Sequence, residues 1–167
     1  MNLEQIEKGQ QVLLDSNIFL SASFQKSTQC TRLIERCANG EIKGLLTLHI
    51  IIEINHRLIC SEARYRAGGT LVNPAKTLSS NPPRVRELEG YRKVIGNLME
   101  SPFEIIPLVS SDLITCLDIQ SQHGLMTNDA LMVAVARRIK RFNIATADKA
   151  FQDIPGLSLF SPTDLAS

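Results

Sequence analysis

No stretch of this chain approaches the roughly 20 consecutive apolar residues that a membrane-spanning helix needs. Its start, Met1-Asn2-Leu3-Glu4-Gln5, has no basic segment leading into an apolar core. No membrane partner and a cytoplasmic location are therefore expected. Paired cysteines are missing too. Cys30, Cys37, Cys60 and Cys116 are scattered, with no C-x-x-C and no histidine at a finger-like offset, which argues against zinc and for reduced thiols packed as small hydrophobes. Nor is there an excess of charge of one sign: eighteen Lys and Arg offset seventeen Asp and Glu, for a formal net charge of +1. Any affinity for polyanions has to come from local patches. Tryptophan is absent and aromatics make up 5% of the chain, too few for a face built on stacked rings. Beyond a Ser/Pro-containing stretch near residue 80 there is no low complexity, and there is no internal repeat.

What is present is the composition of an ordinary folded domain, 44% hydrophobic and 21% charged over 167 residues, enough to bury one core. Short apolar runs at 11–14, 44–47, 103–108, 143–146 and 157–160 read as five strands. Ser16-Asn17 reads as a turn after the first. Cys30, Leu33, Ile34, Cys37 and Ala38 follow one helix face, closed by Asn39-Gly40. Residues 48–59 run without Gly or Pro, Ser110-Ser111-Asp112 opens a helix that His123-Gly124 ends, and Thr127 opens an apolar helix with a basic end, Arg137-Arg138-Ile139-Lys140-Arg141. Strands alternating with helices imply an α/β fold with a parallel sheet covered on both faces. The exception is 61–101, where Gly68-Gly69, Asn73-Pro74 and Ser79-Ser80-Asn81-Pro82-Pro83 cut the chain into short pieces. It reads as a helical excursion within a single domain spanning 1–167.

Four carboxylates stand out. Asp15 and Asp148 each follow a strand, at the edge of a parallel sheet where ligands collect. Asp129 lies near a helix start, which favours an ionised acid. Glu53 interrupts the apolar run Ile50-Ile51-Ile52-Glu53-Ile54, where an unpaired charge would be costly. Carboxylates gathered at one edge repel unless a cation neutralises them. An oxygen-only donor set selects Mg2+ or Mn2+ over zinc or copper, and those ions suit phosphate chemistry.

The segments around these acids are Val12-Leu13-Leu14-Asp15-Ser16-Asn17-Ile18, Ile51-Ile52-Glu53-Ile54-Asn55-His56-Arg57-Leu58, Thr127-Asn128-Asp129-Ala130-Leu131 and Ala145-Thr146-Ala147-Asp148-Lys149-Ala150-Phe151. In this order and spacing they resemble the PIN-domain family, from about Val12 to Pro162, with 61–101 the part least like a compact member. The resemblance implies a three-layer α/β/α sandwich around a mostly parallel, twisted sheet of about five strands. It implies a Mg2+- or Mn2+-dependent endoribonuclease acting on RNA, a class that includes the VapC-type toxins of toxin–antitoxin pairs, whose antitoxin protein would cover the site. By the same resemblance Asp15, Glu53, Asp129 and Asp148 are catalytic, as metal ligands or as residues that position the attacking water. Asn17 and Thr127 or Thr146 would support them through hydrogen bonds. One departure matters: members often carry another acid shortly after the fourth, and here Lys149-Ala150 stand there, which argues for a single metal or a weakly held second.

Other residues receive plainer readings. Arg57, Arg64 and Arg66 are the candidates for holding a phosphate backbone, and base stacking is expected to contribute little. Leu71, Val72, Leu88, Val94, Ile95 and Leu98 offer an apolar surface for a second copy, so a homodimer is expected. His49 and His56 read as hydrogen-bonders, and Asp112, Asp118, Asp153 and Asp164 as caps or surface. A haloacid-dehalogenase-type phosphatase needs a second Asp where Asn17 stands, and a phospho-receiver needs an acidic pair at the first strand end. The serious rival is a catalytically inactive PIN-like module that binds or scaffolds, its acids no longer holding metal.

Overall fold

A computed structural model describes residues 1–165 of the chain. In chain order its elements are β1 (Gln11–Leu14), α1 (Ser16–Ser23), α2 (Thr28–Ala38), β2 (Lys43–Thr47), α3 (Leu48–Arg66), α4 (Pro74–Ser79), α5 (Pro82–Arg86), α6 (Gly90–Glu100), β3 (Glu104–Ile106), α7 (Ser110–His123), α8 (Thr127–Ile139), β4 (Asn143–Ala145) and β5 (Ser158–Phe160), with short 3-10 turns at Leu3–Gln5 and Lys149–Phe151. They divide into two compact units: Met1–Ile51 together with the chain from Pro102, and Ile52–Ser101.

The first unit holds five parallel strands in the order β3-β2-β1-β4-β5. From β1 the chain steps outward to β2 and β3, then returns across the sheet to β4 and β5. Parallel crossovers are right-handed, so this reversal of direction puts the α1–α2 pair and the α7–α8 pair on opposite faces. Side chains alternate along each strand. Leu13, Leu45, Ile106 and Ile144 accordingly pack in one cluster with Cys116, Ile119 and Val133 of α7 and α8, while the buried Val12, Leu14 and Leu46 point the other way. The result is the α/β sandwich expected from the sequence, with every strand pair parallel among the described residues.

Gly44 in β2 is dictated by packing. A Cβ there would lie 2.7 Å from Phe103 Cδ1 and 3.1 Å from Cys37 Sγ. Cys30, Cys37 and Cys116 are buried free thiols as expected, whereas Cys60 is half-exposed. Burial pushes the Cys37 thiol up to about 12.

In the second unit Ala63, Leu78 and Leu88 form a small core with Ile59, Leu71, Val85 and Tyr91. Glu62 organises it. Its carboxylate accepts the Glu89 and Tyr91 amides at 3.1 and 2.9 Å, satisfying donors at the start of α6 that the helix leaves open, and Arg66 pairs with it at 3.0 Å. Gly90 lies so close that a Cβ would stand 3.1 Å from Glu62 Oε2.

Several expectations change. Ser16-Asn17 do not form a turn; they begin α1 directly. The third strand keeps only Glu104–Ile106 of the expected 103–108. Helix α3 continues to Arg66, since nothing between Cys60 and Arg66 breaks it, and the second unit starts inside it. Leu88 and Leu98 are each 3% exposed, so neither is available to pair with a second copy. Tyr65, by contrast, is 85% exposed, against the expectation of few exposed aromatics. Asp112 caps α7 as expected, its Oδ2 accepting the Val109 amide at 2.9 Å, but it is not on the surface: it is 2% exposed and clamps Arg138 at 2.7 Å. Asp164 is an exposed cap as expected: it accepts the Ser27 hydroxyl and the Gln29 amide at 2.5 and 3.0 Å, tying the C-terminal segment to the start of α2. Among the described residues no helix is long and apolar enough to cross a membrane.

Candidate active site

In an open parallel sheet the crevice lies at the carboxyl ends of the strands where the winding direction reverses. Here that point is between β1 and β4, and the residues that follow these strands are Asp15 and Thr146. Leu13 is level with Ile144 and with Leu45. Two residues on, the same register aligns Asp15 with Thr146 and with Thr47. All three continue the face on which Leu13, Ile144 and Leu45 meet α7 and α8.

Asp15 is 5% exposed. It occupies the N-cap position of α1, yet its side chain makes no capping bond. Instead Asp15 Oδ2 accepts from the Thr146 hydroxyl at 2.6 Å and from Asn17 Nδ2 at 2.5 Å. The Asn17 amide is fixed in turn, because its Oδ1 accepts the Ala147 N–H at 3.0 Å and Nδ2 also reaches Thr146 Oγ1 at 3.3 Å. Thr146 Oγ1 further accepts the Asp148 amide at 2.9 Å. Donors and acceptors are matched, so the carboxylate is held in one orientation. The ordinary role of an Asp after a strand, capping the next helix, is not the one this residue performs.

The other acids have different settings. Asp148 is exposed and its Oδ1 accepts the Ala150 amide at 2.8 Å, capping the turn at Lys149–Phe151. Asp129 is half-buried in the first turn of α8. That turn is tied to the start of α3 by His49, whose Nε2 donates to the Asn128 carbonyl at 3.1 Å; a carbonyl has no proton to give, so Nε2 carries one. His49 is thus the hydrogen-bonder that its sequence context suggested. Thr127 stands outside the Asp15 network, its hydroxyl accepting from Gln120 Nε2 at 3.3 Å. Glu53 belongs to the second unit, where its side chain is 23% exposed and lies 3.6 Å from Arg57. Of the basic candidates, Arg57 therefore faces Glu53, Arg64 donates to the Leu71 carbonyl at 3.2 Å, and Arg66 pairs with Glu62.

Hard oxygen donors suit Mg2+ or Mn2+, and Asp15, Asp129 and Asp148 supply nothing else. Thr47 adds a hydroxyl that is buried without a hydrogen-bond partner among the described residues. The chemistry of the donors fits such an ion, although among the described residues no three His, Cys, Asp or Glu side chains form a group that could hold one.

A family model described as the PIN domain matches residues 12–157. The chain belongs to the PIN-domain family. No curated protein sequence matches this PIN domain significantly. Among solved structures it is similar to a toxin–antitoxin complex from Klebsiella pneumoniae, at 17% identity over 88% of this chain and 95% of that one, with a TM-score of 0.53. It is also similar to VapBC2 from Rickettsia felis bound to a DNA fragment from their promoter, at 16% identity over 90% and 98% of the two chains, with a TM-score of 0.58. At such identities the likeness is one of fold.

Proposed function

We propose that this PIN domain is a divalent-metal-dependent endoribonuclease and the toxin of a toxin–antitoxin pair. The observation that carries the reading is Asp15: a buried carboxylate at the point where the sheet winding reverses, gripped by Asn17 and Thr146 and not used as a helix cap. Holding an acid this firmly without using it to cap the next helix is what a site that positions reactants needs. Family membership supports nuclease chemistry, and the toxin–antitoxin neighbours support an antitoxin partner.

In this reading Asp15, Glu53, Asp129 and Asp148 hold Mg2+ or Mn2+ and orient the water that hydrolyses the phosphodiester, and Asn17 and Thr146 fix Asp15. The ion supplies Lewis acidity toward the phosphate and lowers the pKa of the attacking water. Arg57, Arg64 and Arg66 lie in the unit spanning Ile52–Ser101, the part of the chain richer in cations, and serve the phosphate backbone. The antitoxin covers the carboxylates with a basic side chain, and the protein is a homodimer in the cytoplasm.

The test is incubation of the purified protein with a pool of small RNAs in Mg2+, Mn2+ or EDTA. Discrete cleavage products with either ion and none in EDTA support the reading. The rival reading, an inactive scaffold, draws on the lack of a ready three-acid group among the described residues; it predicts intact RNA in all three buffers and no heat of Mn2+ binding by calorimetry.

A further inference from the structure

The second unit contains a cavity of about 180 Å³. Its floor includes Ala63, Ala67 and Leu88, and its rim carries Arg66, Arg84 and Glu87. Two of the floor residues are alanines one turn apart, Ala63 in α3 and Ala67 just past its end at Arg66, so the space exists because methyl groups stand where larger side chains would fill it. Ala63 and Leu88 are buried, which makes the floor part of the unit's own core. The rim is polar and charged.

We propose that this cavity receives one unstacked nucleobase of the RNA substrate, an inference that rests on the ribonuclease reading above. A base is flat and apolar on its faces, bears donors and acceptors on its edge, and is flanked by phosphates. The cavity matches each part. The alanine and leucine floor takes the ring. The Arg66 guanidinium, pre-set by its 3.0 Å pair with Glu62, and the Arg84 guanidinium, which forms no salt bridge among the described residues, stack on the ring or hold the flanking phosphates. The Glu87 carboxylate accepts from an exocyclic amino group. Charge favours the same occupant. Residues 52–101 carry eight Lys and Arg against five Glu, in a chain whose net charge is only +1, so the rest of the molecule is net acidic. Proteins read RNA sequence mainly through such unstacked bases. The strongly exposed Tyr65, next to Arg66 on α3, offers a further ring to the same strand.

The experiment is binding of the full chain, in EDTA so that nothing is cut, to seven-nucleotide single-stranded RNAs labelled for fluorescence anisotropy, each with one abasic position. At one position the missing base weakens binding about 10-fold, within the range measured for a stacked base. Ala67→Leu, which fills the cavity, weakens binding of the intact RNA by the same factor and costs nothing further on the abasic RNA, because both changes remove one interaction. Arg84→Gln, a surface change that tests the rim if Ala67→Leu does not fold, also weakens it. Wild-type affinity in both folded variants, or penalties that multiply in the abasic RNA, overturns the proposal. So does weaker binding of an acidic peptide by the variants with RNA binding unchanged, which makes the cavity a protein-docking site. Base-dependent binding without cleavage in Mg2+ or Mn2+ removes the nuclease reading and leaves the cavity assignment standing.

Discussion

The Thr146 hydroxyl donates to Asp15 Oδ2 at 2.6 Å across a separation of 131 residues, and it does so because β1 and β4 are neighbours at the reversal of the sheet. Thr146 Oγ1 also accepts the Asp148 amide, so one side chain couples two of the proposed catalytic acids. Thr146→Val removes the donor and strands a buried carboxylate oxygen. It is expected to cost about 1–3 kcal/mol in urea unfolding and to lower the cleavage rate at least as much as stability alone explains. Thr146→Ser keeps the hydroxyl and restores most of the rate.

Asn17 offers a test of charge. Its amide nitrogen donates to Asp15 Oδ2 at 2.5 Å, so Asn17→Asp sets two carboxylates against each other and takes away the donor. Like charges at this distance disfavour joint ionisation. The variant should melt below the wild type at pH 7, with the gap narrowing as the pH falls toward 4 and also on adding Mn2+. An equal melting temperature at pH 7 would mean that Asn17 does not hold Asp15.

In the second unit, burial pushes the Glu62 carboxyl up, but the amides of Tyr91, Gly90 and Glu89 and the Arg66 guanidinium together bring it below its ordinary value of 4.5. A group whose folded value is depressed stabilises the fold above its unfolded value and loses that contribution as the pH drops through the folded one. Stability should therefore decline on acidification below about 4.5. Glu62→Gln should be less stable at pH 7 and show a flatter dependence between pH 5 and 3, read by circular dichroism melting.

Gly44→Ala pushes a methyl to within 2.7 Å of the Phe103 ring and 3.1 Å of Cys37 Sγ. The added volume is expected to destabilise by about 1–3 kcal/mol. Phe103→Leu in the same chain should recover part of that loss, since it withdraws the ring that the methyl meets.

Much of the fold was legible because each strand of a parallel sheet buried on both faces is a short apolar run, and β1, β2, β4 and β5 are bounded by polar or turn residues. Helix α1 was not legible. It is eight residues long, and its opening Ser16-Asn17 has the composition of a turn, while Asn17 spends its amide on Asp15 and Ala147. Asp15 and Asp148 could be picked out from their places after strands. That Thr146 would grip Asp15, or that His49 would fasten the first turn of α8, depends on strand register and helix placement, which no local pattern encodes. Asp164 is the exposed, helix-capping acid that the sequence suggested, but that it caps the distant start of α2 through Ser27 and Gln29, about 135 residues away, could not be read locally. Leu88 and Leu98 looked available for a second copy only because their burial within the chain is invisible in one dimension.

The most direct test compares the wild type and Asp15→Asn on a mixed pool of small RNAs in Mn2+, with melting temperatures recorded beside the rates. The account predicts cleavage by the wild type and a loss of at least about 100-fold in the variant, with the two proteins melting within a few degrees of each other. Equal cleavage by both proteins, or none by the wild type together with no Mn2+ binding, would contradict it.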